Sequence, residues 1–211
     1  MLATTTNPPA QTKKFVFGTT WRAKGELYER QLLFALQWLD SGRSYEKCGV
    51  LQSGERRDTM AIRNLTDWND PIFLKKSRKV EKFDERLWIL LDDMADTLEH
   101  VCGYGCAAVH VGILRSVVVV LDKDGLIELV NPEITEESTE MQKVLEGSIA
   151  YGAPRGYVMR PSSITVAGFD RHGTPITVQG VGFLAATLCH EIDHTNGILF
   201  SDKIVEPEKL G

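Results

Sequence analysis

The sequence predicts an α+β fold, several antiparallel strands followed by one buried helix, on three observations. The first is the β-branched run Ser116-Val117-Val118-Val119-Val120-Leu121, which has the composition of a buried strand. The second is a pair of apolar segments, residues 164–169 and 175–178, on either side of the tight turn Asp170-Arg171-His172-Gly173. The third is Gly182-Phe183-Leu184-Ala185-Ala186-Thr187-Leu188, an apolar stretch of good helix formers that Asn196-Gly197 closes.

Composition narrows the class. A chain of 211 residues, 43% hydrophobic, suits one soluble domain with an appendage. A net charge of -5 argues against a nucleic-acid binder held by bulk charge. There is neither a twenty-residue apolar run nor a signal-peptide core, so no membrane insertion and no secretion are expected. Four cysteines are too sparse for a disulfide scaffold, and the cytoplasm is the expected location. Cys102 and Cys106 flank Gly103-Tyr104-Gly105 as half a zinc knuckle would. Without a second pair they read better as core thiols.

In chain order, residues 1–20 carry Thr, Pro and Lys and no acid, which fits a plain tail or, as the alternative, an organelle transit peptide. Residues 26–39 read as one amphipathic helix, with Leu32, Leu36 and Leu39 on a face that Phe34 and Trp38 widen. The charged connector at 53–58 marks a boundary, so residues 1–59 are read as an N-terminal extension and 60–211 as the domain. Asp70-Pro71-Ile72 is a turn. Asp84 caps a helix running to about Val101, whose Leu87, Leu90, Leu91, Met94 and Leu98 recur at helical spacing. Asp122-Lys123-Asp124-Gly125 turns the chain after the β-branched run. Residues 127–130 and 141–145 are further strands, and the acidic run 133–140 is expected to be a solvated loop.

The chemistry sits in the last helix. His190-Glu191-Ile192-Asp193-His194 contains H-E-x-x-H, and residues four apart share a helix face, so His190 and His194 can grip one metal ion. Glu191, one step round, can take a proton from a water on that ion and hand it to a leaving group. The bland alternative is a surface helix with scattered polar residues. Against it, a helix this apolar belongs in the interior, where two histidines and a glutamate are costly unless something binds them.

Three stretches in this order resemble the peptide deformylase family. Gly103-Tyr104-Gly105-Cys106-Ala107-Ala108-Val109-His110-Val111-Gly112 is similar to its G-x-G-L-A-A-x-Q-x-G motif. Glu146-Gly147-Ser148-Ile149-Ala150 is similar to its E-G-C-L-S motif, and residues 190–194 match its H-E-x-D-H motif. Asp70-Pro71-Ile72 and Gly156-Tyr157-Val158-Met159-Arg160-Pro161 agree as well. The resemblance covers about residues 60–211 and implies antiparallel strands wrapped around the histidine-bearing helix. It implies a hydrolase that removes the formyl group from formylmethionine at the start of new polypeptides, with one Fe²⁺ (or Zn²⁺, Ni²⁺, Co²⁺). The implied partners are formylated N-termini at the ribosome, with no nucleic acid and no membrane, and the implied state is a monomer.

Residue by residue, the resemblance makes His190, His194 and Ser148 the metal ligands and Glu191 the general acid and base. It makes His110 and the backbone N–H of Ile149 the groups that steady the oxyanion, and Gly105, Gly147 and Tyr157 substrate contacts. Two positions depart from the family: Ser148 replaces the ligand cysteine and His110 the glutamine. A serine hydroxyl ionises far less readily than a thiol and is a weak ligand. His110 is therefore also a candidate third imidazole ligand; the alternatives are a hydrogen bond to the bound water or a satisfied core histidine. These departures also leave open a binding protein of this fold with little or no activity. Cys106 reads as an apolar substitute beside the site, with a ligand role as the remote alternative, and Cys189 points away from the histidine face. Phe183 and Leu184 read as core residues, or as pocket lining. An unrelated H-E-x-x-H protease would need a ligand among the 17 residues after His194, where Asp202 and Glu206 stand.

Overall fold

The computed structural model describes residues 61–208. The helix expected at 26–39, the tail before it and the connector at 53–58 lie outside them. In chain order the elements are α1 (Glu85–His100), β1 (Gly105–Ala107), β2 (Val117–Asp122), β3 (Gly125–Glu137), β4 (Met141–Glu146), β5 (Gly156–Pro161), β6 (Ser163–Phe169), β7 (Pro175–Val181), α2 (Phe183–Thr195) and β8 (Ile204–Pro207). The strands form a five-stranded antiparallel sheet in the order β1-β2-β3-β6-β7 and a three-stranded one in the order β4-β5-β8. No helix among the described residues is long and apolar enough to cross a membrane.

Strand β2 explains its own unbroken valine run. Successive side chains of a strand point to opposite faces, and here both faces are covered. Val118 and Val120 pack into one core with Ala185, Leu188 and Ile192 of α2. Val117 and Val119 pack into the other with Leu87, Leu91 and Met94 of α1. Asp84 caps α1 as expected, its carboxylate accepting from the Leu87 N–H at 3.3 Å. All five predicted apolar positions of that helix are buried. The β6–β7 hairpin forms around Asp170, whose carboxylate accepts from the N–H groups of His172 and Thr174.

The acidic run corrects the expectation. Glu133, Glu136 and Glu137 are not in a loop but in β3, paired with Ala167, Thr165 and Ile164 of β6. Their charges face water: Glu133 pairs with Lys79 at 2.6 Å, and Glu136 accepts from the Thr165 hydroxyl. Acidity reported exposure, not irregular backbone. The strand passes the Asn131-Pro132 break through a register shift at which Asn131 takes a left-handed φ of 52° and bonds both backbone groups of Val80. Strands β1, β5 and β8 have no counterpart in the sequence expectations.

Helix α2 ends at Asn196, and Gly197 follows with φ 74°. A side chain at Gly197 would place its Cβ 2.8 Å from the Leu74 carbonyl oxygen. Strained backbone and backbone clash coincide there, so Gly197→Ala should lower unfolding free energy by about 1–3 kcal/mol. Denaturant unfolding checks this; an unchanged midpoint contradicts it.

Candidate active site

Helix α2 carries its polar triplet into the interior: His190, Glu191 and His194 are 6%, 3% and 0% exposed. The four-residue spacing puts both imidazoles on one face, and their Nε2 atoms stand 3.0 Å apart. Strand β4 orients the first of them, since His190 Nδ1 lies 2.9 Å from Glu146 Oε2. With that N–H given to the carboxylate, Nε2 is left to present its lone pair. Glu146 is held in turn by Arg160 of β5 through two bonds of 2.8 and 3.0 Å. Arg160 also donates to Asp193 at 2.6 Å, as does Lys203. This buried network ties α2 to both long strands of the smaller sheet.

His110 comes from the 3-10 turn Ala108–Val111 after β1 and is fully buried. Its ring meets His194 edge-on, with centroids 4.7 Å apart. Its Nε2 lies 2.9 Å from Ser148 Oγ, and its Nδ1 lies 3.1 and 3.2 Å from the N and O of Ala107. Nε2 is therefore directed at the serine, and the three-histidine ligand set is not assembled. Among the described residues no three His, Cys, Asp or Glu side chains form a metal-holding group. Ser148 follows β4, is half-buried, and also accepts from the Ala150 N–H at 3.2 Å.

Glu191 Oε2 lies 3.7 Å from His110 Nδ1 and has no hydrogen-bond partner; His194 Nδ1 also has none. Gly105 makes the room for this carboxyl, because a Cβ there would sit 2.5 Å from Glu191 Oε1. Aromatic rings enclose the cluster: Phe73 contacts His110 and His194, Trp68 contacts His194, and Phe200 lies against His190. Burial pushes the Glu191 carboxyl up to about 7. Burial, and then the His190 charge, bring His110 down to about 3 and hold His194 well below its usual value. For His190 burial acts downward too, but the Glu146 hydrogen bond and the Glu191 and Glu146 charges outweigh it and leave the ring raised.

The arrangement fits one divalent ion at the imidazole pair. Two nitrogens bonded to one tetrahedral ion at about 2.0–2.1 Å stand roughly 3.3 Å apart, close to the separation seen. Two buried polar atoms without partners beside them are what a further bound group would satisfy.

Other predicted residues fall nearby or apart. The N–H of Ile149, next to Ser148, makes no hydrogen bond among the described residues. Gly105 is buried behind Glu191, while Gly147 is exposed beside Arg155. The Tyr157 ring lies under Lys143 and makes no ring contact with the histidines. Cys106 is a free buried thiol, whereas Cys102 is exposed at φ 54°, so the core reading holds only for the first. Cys189 is buried and its thiol is raised to about 11, chiefly by burial. Phe183 is 45% exposed, edge-on to Tyr104, and is not a core residue; Leu184 packs on the core. Asp202 and Glu206 are surface groups, the latter paired with Lys143, so no downstream carboxylate completes a protease site. Sequence reasoning missed the roles of Glu146, Arg160 and Asp193 and the aromatic enclosure. The first three stand inside quoted motif stretches, which was the available signal.

A family model described as polypeptide deformylase matches residues 62–210. A peptide deformylase of Alkaliphilus metalliredigens is 48% identical over 147 residues, covering 70% of this chain and 99% of that one. The solved peptide deformylase of Legionella pneumophila has a TM-score of 0.65 at 37% identity, covering 68% of this chain and 86% of that one. A Met-Ala-Ser-bound peptide deformylase of Acinetobacter baumannii has a TM-score of 0.65 at 29% identity, covering 69% of this chain and 100% of that one. Together with the order of the three motifs along α2, β4 and the β1 turn, these matches mean that the chain belongs to the polypeptide deformylase family.

Proposed function

We propose that the chain hydrolyses the formyl group from formylmethionine at peptide N-termini and releases formate. The observation that carries this reading is the buried Glu191 carboxyl, whose Oε2 has no hydrogen-bond partner, next in sequence to the first of the paired His190 and His194 nitrogens. The family is metal-dependent, and Nε2 of His190 and of His194 would hold one divalent ion, Fe²⁺ with Zn²⁺, Ni²⁺ or Co²⁺ as substitutes, all of which suit imidazole donors. When bound, the ion supplies a Lewis acid that polarises a carbonyl and acidifies water. Glu191, with a carboxyl near pKa 7, accepts the water proton and returns it to the departing amine. The Ile149 N–H is the donor toward the developing oxyanion. The aromatic enclosure keeps bulk water from these charges. An N-terminal methionyl peptide as substrate accords with the Met-Ala-Ser bound by the Acinetobacter relative.

Formate release from formyl-Met-Ala-Ser under anaerobic conditions tests the reading. Release that stops on chelation and returns with Fe²⁺ supports it; no release with Fe²⁺ or Zn²⁺ refutes it. The Glu146 network gives a further expectation. Glu146→Gln removes the charge that orients His190 and half-pairs Arg160, so metal affinity should fall about 10–100-fold in chelator competition. Stability should drop as well, by up to about 3–5 kcal/mol.

A further inference from the structure

We propose that Asp193 and Lys203 are positioning residues that set, in opposite directions, how strongly His190 holds the metal ion. The inference rests on the reading that His190 and His194 share an ion, and it concerns no residue that touches the ion or the substrate. A row of hydrogen-bonded groups runs from the interior to the surface: the His190 imidazole, Glu146, Arg160, Asp193 and Lys203. Within it, each carboxylate shares one oxygen between two donors. Glu146 Oε2 accepts from His190 Nδ1 at 2.9 Å and from Arg160 Nη2 at 3.0 Å. Asp193 Oδ2 accepts from Arg160 Nη1 and from Lys203 Nζ, both at 2.6 Å. Among the described residues neither Arg160 nor Asp193 has another ion pair.

Donors on one oxygen compete for it, so a change at the surface end passes inward with alternating sign. Asp193 draws the Arg160 guanidinium toward itself and eases its pull on Glu146. Glu146 then accepts more strongly from His190, and a ring polarised at Nδ1–H donates more strongly from Nε2. Lys203 acts the other way, since by occupying Asp193 Oδ2 it leaves Arg160 freer to bind Glu146. The direct field has the same signs: the Asp193 charge favours a nearby cation and the Lys203 charge disfavours it. The Arg160 and Asp193 side chains are 4% and 15% exposed, whereas Lys203, at 38%, is partly screened by water, so its effect is the smaller. Lys203 lies at the end of the 3-10 turn Phe200–Lys203, at the surface, so its charge can be removed without opening the core.

Competition for Zn²⁺ against a chromophoric chelator, on the full chain at fixed ionic strength, tests this in the unmodified protein, Asp193→Asn, Lys203→Met and Lys203→Arg. Asp193→Asn should weaken Zn²⁺ binding about tenfold. Lys203→Met should tighten it about twofold or more, and Lys203→Arg should stay near the unmodified value. A purely structural role for these ion pairs would weaken binding in both Asp193→Asn and Lys203→Met, so the opposed signs decide. Equal or weaker binding in Lys203→Met overturns the proposal, whether or not Asp193→Asn folds. Equal or tighter binding in folded Asp193→Asn overturns it too, as does tightening in Lys203→Arg to match Lys203→Met. Unmodified protein that takes up no Zn²⁺ overturns this inference and the metal reading together. Zn²⁺ held equally by all four proteins overturns this inference alone, and the deformylation reading stands.

Discussion

Glu191→Gln is expected to lower kcat for formate release by roughly 10²–10⁴-fold while leaving metal content unchanged. The substitution keeps the side chain's size, so it fits the space that Gly105 leaves behind it. What it removes is the proton acceptor. The carboxyl is suited to that task by burial, which raises it to about 7, where it can both take and return a proton at neutral pH. No other carboxylate replaces it: Glu146 is committed to His190 and Arg160, and Asp193 to Arg160 and Lys203. Stopped assays on formyl-Met-Ala-Ser, paired with metal analysis of the same samples, measure both halves of the expectation. A Gln variant within a fewfold of the unmodified rate would remove Glu191 from the chemistry.

Ser148→Cys is expected to tighten metal binding by roughly tenfold or more and to raise formate release. A thiol beside a cation gives up its proton readily and binds as thiolate, whereas the serine hydroxyl stays neutral and a weak donor. In this chain that hydroxyl is also engaged, by His110 Nε2 at 2.9 Å and the Ala150 N–H at 3.2 Å. Competition against a chelator of known affinity reads the change directly. Equal retention in the two proteins would mean that position 148 stays away from the ion, and the imidazole pair holds it without help from that side.

The parts of this site that lie within one element were legible in the sequence. The His190–His194 spacing and the Asn196-Gly197 stop are consequences of helical geometry, which local residues determine. The α1 periodicity and the β2 valine run were legible for the same reason, since each reports which side of its element is buried. Glu146 and Arg160 were not, because their role depends on β4 and β5 pairing in a register that places both against α2. The enclosure by Trp68, Phe73 and Phe200 joins segments far apart in the chain, and an aromatic residue's composition does not reveal its neighbour. Charge along 133–140 suggests a loop, but residues up to Glu137 continue the strand, because a strand facing water carries charge equally well. His110 was identified as departing from its family, but its alignment on Ser148 is a matter of distance, which no motif carries.

The proposed hydrolysis depends on an ion held by the nitrogens of His190 and His194. Metal stoichiometry of protein purified without oxygen, beside His190→Ala, tests that most directly. About one equivalent of a divalent transition metal is expected in the unmodified protein and almost none in the variant. Protein that is empty, and stays empty when offered iron or zinc, would contradict it.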